Sequence, residues 1–286
     1  MPFTLEKMKL KDFRRIVDEA EKIGIFEIYL AGGEPLLHPS FIDILDYVLE
    51  KSFTIYVLTN GTLLTEDLAL SIKNLMLKHK KTIHFQISID SIDPQINDQI
   101  RGATDSAKNG IEVFLSLGIT LAIGCVVTSK NIMSISSLIK QYYPRVKQFN
   151  LMPLMPTIQM ALKLNSLVED NYWQARERLA KSMVELKKEY SEISISIMED
   201  QTFFPNHDEL WNGKCAAGDL KLIIRGNLDV IPCNIAPNYI LGNLNDHTLL
   251  EIWNSSSAIK LREDENQPAC KQEIQKLAKR INEKST

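Results

Sequence analysis

The first 124 residues of this chain contain no cysteine. The four cysteines of its 286 residues are Cys125, Cys215, Cys233 and Cys270. So few in so long a chain exclude a disulfide framework as the basis of the fold. No apolar run approaches membrane-spanning length. Residues 1–12 are polar and amphipathic, without a signal-type apolar segment. These absences predict a cytoplasmic protein with no membrane partner. A formal net charge of −3 lacks the basic footprint of a nucleic-acid binder. There is no internal repeat and no low-complexity tract. The length supports one barrel-sized domain with a small appendage.

What the sequence does have is alternation. Met8, Leu10, Phe13, Ile16, Val17, Ala20 and Ile23 recur at helical spacing, and Gly24 stops that helix. Strands are predicted at Phe26–Ala31, Thr54–Leu58, Ile83–Ile89, Ile119–Val127 and from Gln148 to Leu151. Between them lie helical patterns at Phe41–Leu49, Leu68–Leu77, Asp105–Leu117 and Ile132–Tyr142. Such β–α steps argue for a parallel sheet with helical crossovers, either open or closed into a barrel. Tyr172–Tyr190 reads as a long helix and Ile193–Met198 as one more strand. Beyond it, Leu220–Ile224 and Leu228–Ile231 form a hairpin about Gly226-Asn227. Leu241-Gly242-Asn243 reads as a turn, and Thr248 caps a helix that begins near Leu249. The tail Gln267–Thr286 reads as a frayed helix.

Polar residues gather where the strands end. Gly32-Gly33-Glu34, Thr59-Asn60-Gly61, Ser88 with Asp90-Ser91, and Thr128 all fall at strand C-terminal ends. In parallel α/β folds those ends share one rim, and ligands bind there. Gly32 and Gly33 offer bare amides beside the Glu34 carboxylate, a combination that suits a small polar ligand. His38, between two prolines, reads as structural. Met152, Met155 and Met160 read as packing.

Cys125 sits in the apolar run Ile123–Val127 and reads as a small buried hydrophobe. Cys215 and Cys233 flank the hairpin, and Cys270 follows the Trp253 helix. Three thiolates suit an iron–sulfur cluster, or zinc with His207 or His247 as fourth ligand. Three unrelated buried thiols are the plain alternative.

Taken together, these runs resemble the radical S-adenosylmethionine (SAM) superfamily, in its members with a SPASM or twitch extension. Leu30-Ala31-Gly32-Gly33-Glu34-Pro35-Leu36-Leu37-His38-Pro39 is similar to the family's glycine–glycine–glutamate motif. Leu58-Thr59-Asn60-Gly61, Ile87-Ser88-Ile89-Asp90-Ser91 and Asn97–Gly102 resemble the segments that follow it. Cys215-Ala216-Ala217-Gly218, Leu228–Cys233, Leu241-Gly242-Asn243 and Glu251-Ile252-Trp253 resemble the start of a SPASM or twitch module.

The resemblance implies an α/β fold: a partial (β/α)6 TIM-like barrel over residues 1–200, lacking its first strand. A β-hairpin-plus-helix iron–sulfur module and polar tail occupy 201–286. It implies SAM and [4Fe–4S] as cofactors. One electron from the cluster cleaves SAM to a 5′-deoxyadenosyl radical, which abstracts a substrate hydrogen. Gly32, Gly33 and Glu34 would receive SAM's amino group, and Thr59 and Asn60 would line the rim. Ser88 and Asp90 would reach the ribose or the methionine carboxylate. Arg101 would pair with that carboxylate or sit in a surface ion pair. Cys215, Cys233 and Cys270 would hold an auxiliary cluster. The implied partners are a peptide or small-molecule substrate and an electron donor such as flavodoxin or ferredoxin.

The chain departs from the family pattern in three places. The C-x-x-x-C-x-x-C triplet expected before the Met8–Ile23 helix is absent, and so is the family's first strand. Leu228 stands where a glycine is expected, with Gly226 displaced by two positions. The later cysteine-rich run is reduced to Cys270. The sequence therefore predicts an N-terminally truncated or mis-started radical SAM enzyme, inactive as given, with an unpaired sheet edge. The alternatives are a cluster-less pseudoenzyme or scaffold that binds SAM or a peptide, and an unrelated α/β enzyme.

Overall fold

A computed structural model describes residues 7–153, 172–197, 217–218, 220–234 and 236–263. The chain divides into two compact units. One comprises Ile25–Leu154 and Asn165–Glu199; the other comprises Met1–Gly24, Met155–Leu164 and Asp200–Thr286.

The first unit is a six-stranded parallel sheet whose strands lie side by side in chain order. They are β1 (Glu27–Leu30), β2 (Thr54–Thr59), β3 (Ile83–Ser88), β4 (Leu121–Val127), β5 (Gln148–Pro153) and β6 (Ser194–Ile197). The crossovers carry α2 (Phe41–Leu49), α3 (Glu66–His79), α4 (Pro94–Ile100), α5 (Thr104–Ser116), α6 (Ile135–Tyr142) and α7 (Tyr172–Glu189). Alternation along the strands decides which face meets the helices. Ile55, Val57 and Thr59 of β2 and Ile83, Phe85 and Ile87 of β3 are buried. Phe85 packs edge-on against Phe114 of α5, with ring centroids 4.8 Å apart. The alternate residues Tyr56, Gln86 and Ser88 are only half-buried on the opposite, open face.

Local signals set the helix boundaries. Thr65 caps α3 by accepting from Leu68 N, acidic residues fill its first turn, and Lys78 and His79 its last. The helix is longer at both ends than apolar periodicity predicts, because capping rather than burial sets its limits. Helix α4 has no apolar stripe and escapes the sequence reading. Asp93 caps it by accepting from Gln95 N, with Pro94 in the first turn. Gly61 has φ +74°, and a Cβ on Gly110 of α5 would overlap the Gly61 carbonyl. The two glycines let this helix lie against the β2–α3 turn.

Among the described residues β1 is the sheet's edge and has no fully buried residue. Phe26 is 73% exposed and Tyr29 56%.

The second unit joins α1 (Leu10–Lys22) to a small antiparallel sheet and two short helices. Strands β7 (Ile223–Ile224) and β8 (Asp229–Ile231) form the predicted hairpin. The predicted turn at Leu241–Asn243 is instead a third strand, β9 (Gly242–Asn243), antiparallel to β8. Its glycine makes room: a Cβ there would meet Ile252 Cγ1 at 2.8 Å. Helices α8 (Leu249–Trp253) and α9 (Ser256–Glu263) follow. Thr248 and Glu251 form a full capping box on α8.

Helix α1 continues the strand–helix series in sequence, but it packs in the unit of the C-terminal module. Glu19 Oε2 accepts from Leu249 N at 2.7 Å, at the start of α8. Arg15 Nη2 donates to the Leu244 carbonyl at 2.8 Å. Cys215, Cys270, His207, Met155, Met160 and the tail Gln267–Thr286 lie outside the described residues.

Candidate functional site

The rim is built around Glu34. It caps a single turn of 3-10 helix, Pro35–Leu37, by accepting from Leu36 N at 3.1 Å. The same oxygen accepts from the Thr59 hydroxyl at 2.6 Å. The other oxygen accepts from Asn60 N at 2.7 Å. The carboxylate thus ties the end of β1 to the end of β2. A carboxylate offers about four acceptor directions, so this clamp leaves capacity for a further donor. Gly32 and Gly33 are exposed, and nothing lies within 4 Å of where a Cβ would stand on either. Gly32 has φ +148°, which side chains rarely permit.

At the end of β2, the Thr59 hydroxyl and the Asn60 N–H serve the clamp. Thr59 is 2% exposed, and its hydroxyl also accepts from Gly61 N at 3.0 Å. Asn60 Oδ1 accepts from Thr62 N and Thr62 Oγ1, fixing the turn after β2. Ser88 ends β3 on the open face, in register with Gly124.

Asp90 is fully buried. One carboxylate oxygen accepts from Val126 N at 2.7 Å and the other from Arg101 Nε at 2.7 Å. The sequence assigned Asp90 to SAM's ribose or carboxylate. In the structure each of its oxygens has a protein donor, as a buried carboxylate demands. Burial raises the Asp90 pKa, with the Arg101 charge, its hydrogen bond and the Val126 N–H pulling the other way. Arg101, whose side chain is 28% exposed, is thereby held through Nε.

Two asparagines hold this rim together and escape the sequence reading. Asn97 Oδ1 accepts from Asp90 N at 2.8 Å and Ser91 N at 3.3 Å, while its amide donates to Thr104 Oγ1. Asn131 donates to the carbonyls of Asp90 and Val126 and accepts from Thr128 N. Both are buried. For Asn131 the available signal was its place four residues past the end of β4, where a side-chain amide can satisfy loop backbone groups; Asn97 lies within α4 and had only its place in the Asn97–Gly102 run.

Cys125 is buried as predicted, and burial raises its thiol pKa well above the ordinary value. Cys233 is half-buried after β8. Among the described residues no group of three His, Cys, Asp or Glu could hold a metal. Leu228, where the family pattern has glycine, adopts φ +69°. That left-handed conformation explains the glycine preference.

The residues present fit SAM: an acceptor for its amino group, bare amides beside it and a guanidinium for its carboxylate. They do not fit the cluster that cleaves SAM, since no cysteine precedes Cys125 and that thiol is buried.

A parallel α/β sheet with a glycine–carboxylate rim, followed by a small cysteine-bearing module, is the architecture of SAM-dependent radical enzymes. Residues 2–136 match the radical SAM superfamily and residues 215–272 match the iron–sulfur cluster-binding SPASM domain. SAM and [4Fe–4S] are the cofactors of these domains. The chain is similar to the antilisterial bacteriocin subtilosin biosynthesis protein AlbA of Bacillus subtilis, 25% identical, covering 91% of this chain and 56% of AlbA. Mycofactocin maturase MftC of Mycobacterium tuberculosis is also 25% identical, covering 94% of this chain and 68% of MftC. The chain thus spans little more than half the length of AlbA. The fold is shared with Streptococcus suis SuiB bound to SAM, with TM-score 0.72 at 19% identity over 87% of this chain and 59% of SuiB. Among the described residues no helix is long and apolar enough to cross a membrane.

Proposed function

We propose that residues 1–286 are the SAM-holding part of a peptide-modifying radical SAM maturase. The observation that carries this is the Glu34 clamp, with exposed Gly32 and Gly33 beside it. Glu34 takes the amino group of SAM with its remaining acceptor capacity, and the glycine amides approach the methionine backbone. Arg101, fixed by Asp90, turns its outer nitrogens to the methionine carboxylate, where a planar fork suits two oxygens. Ser88 lies on the same rim and meets the ribose. SAM, when joined to a reduced cluster, supplies the hydrogen-abstracting radical. The protein's own part is to bind, orient and exclude water. The barrel function is assigned to 1–200 and the auxiliary iron–sulfur function to 201–286. There Cys215, Cys233 and Cys270 supply the thiolates, and a flavodoxin or ferredoxin the electrons. AlbA and MftC are named for a bacteriocin and for mycofactocin maturation, which favours a peptide over a small metabolite.

The missing cysteine triplet favours a second reading of these residues taken alone: a scaffold that holds SAM without cleaving it. Calorimetry with SAM, followed by an anaerobic assay after iron–sulfur reconstitution and chemical reduction, tests both readings. The expected result is SAM binding with no 5′-deoxyadenosine above a no-protein control. Absence of SAM binding would sink the proposal, and 5′-deoxyadenosine formation would sink the second reading.

A further inference from the structure

We propose that Gln86 and Asn150 form a station on the open face of the sheet that hydrogen-bonds a peptide group of the substrate. This rests on the peptide reading above and names the residues that would carry it.

Interior strands of a parallel sheet are normally apolar on both faces. Here the open face of the interior strands β3 and β5 instead carries Gln86, Ser88, Gln148 and Asn150, and the outer strand β6 adds Ser194 and Ser196. Donors and acceptors are abundant there, and none of those six side chains is charged. Such a lining suits a neutral ligand that both gives and takes hydrogen bonds.

Gln86 and Asn150 belong to strands separated by β4. Their side chains meet across it, with Asn150 Nδ2 donating to Gln86 Oε1 at 2.7 Å. Gly124 makes this possible, since a Cβ there would overlap the Gln86 amide. The pair spends one donor and one acceptor on itself. It keeps the Gln86 N–H groups on one side. On the other it keeps one acceptor direction of the Asn150 oxygen, which also accepts a long bond from Gln148 Nε2 at 3.5 Å. One donor beside one acceptor is what a peptide group requires. Turning both amides over exchanges the roles and leaves the same complement. Both residues are half-buried, and partial exclusion of water strengthens each bond.

A second observation adjoins the first. Tyr29, Tyr56 and His84 stack in a row on the same face, with centroids 4.4 Å and 4.9 Å apart. His84 stands two residues before Gln86 on β3, so this flat wall abuts the amide pair. It would take an apolar side chain flanking the bound peptide group.

The test is an NMR titration of the side-chain amides with N-acetylglycine N-methylamide, using as a comparison the diester methyl acetoxyacetate, in which both peptide N–H groups are replaced by ester oxygens. Asn150→Ala and Gly124→Ala assign the signals and break the pair. The expected result is a shift at Gln86 and Asn150 that is larger with the diamide and lost at Gln86 in either variant. Shifts at His84 or Ser88 alone would overturn the pair while leaving the peptide reading intact. Equal shifts with the ester would also overturn it. No shift anywhere on the open face, in protein that binds SAM, would overturn the pair and the peptide reading together.

Discussion

Arg101 Nε donates to Asp90 Oδ2 at 2.7 Å, and the receiving carboxylate is fully buried. Asp90→Ala strands the Arg101 guanidinium and the Val126 N–H together. Breaking such a pair costs about 3 kcal/mol, which denaturant unfolding will read as a lower midpoint.

The same group sets a pH dependence. Burial raises the Asp90 pKa in the folded protein. The folded carboxyl therefore holds its proton to higher pH than the unfolded one, whose ordinary value is about 3.9. Its contribution favours the fold below that value and is lost as pH rises through the raised one. Asp90→Asn should flatten this part of the stability–pH curve. An unchanged slope would show that other groups dominate.

Asp46 works in the opposite sense. Lys78 first, then His79, lowers its carboxyl pKa, joining α2 to α3. Its contribution is present above the ordinary carboxylate pKa and fades as pH falls through the lowered value. Asp46→Asn should remove that acid-side loss, seen by comparing melting temperatures at neutral and acid pH. Lys78 is largely exposed, so the effect is small.

Glu34→Gln removes the charge that SAM's amino group would meet but keeps an acceptor for Thr59. A charge-assisted bond is worth about 1.5–3 kcal/mol, so SAM affinity should fall roughly tenfold or more by calorimetry. Gly33→Ala separates binding from folding. With open space around its Cβ, stability should stay within about 0.5 kcal/mol while SAM binding weakens.

Gly110→Ala drives a methyl into the Gly61 carbonyl. Helix α5 must shift, at a cost of about 1–3 kcal/mol. Glu19→Ala removes the acceptor from Leu249 N and should cost about 1 kcal/mol. The loss should appear as faster amide exchange in α8.

The strand–helix series was legible because apolar runs and turn residues alternate so regularly. Helix α4 was not, since its cap and proline lack an apolar stripe, and β9 was hidden because two residues cannot display a period. At the site, the sequence marked Gly32, Gly33 and Glu34, whose residue types are unusual together at a strand end. The protein partners of Asp90 were not legible, because a carboxylate at a rim looks the same in sequence whether it faces a ligand or a buried N–H.

By itself the sequence determined the parallel sheet, the polar rim and the want of thiolates before Cys125, since each follows from local residue type and order. The tertiary structure decided which rim groups are spent inside the protein. It gave Thr59 to Glu34, Asp90 to Val126 and Arg101, and α1 to the C-terminal unit. Hydrogen-bond partners distant in sequence are chosen by strand register and burial, and neither is written in any one segment.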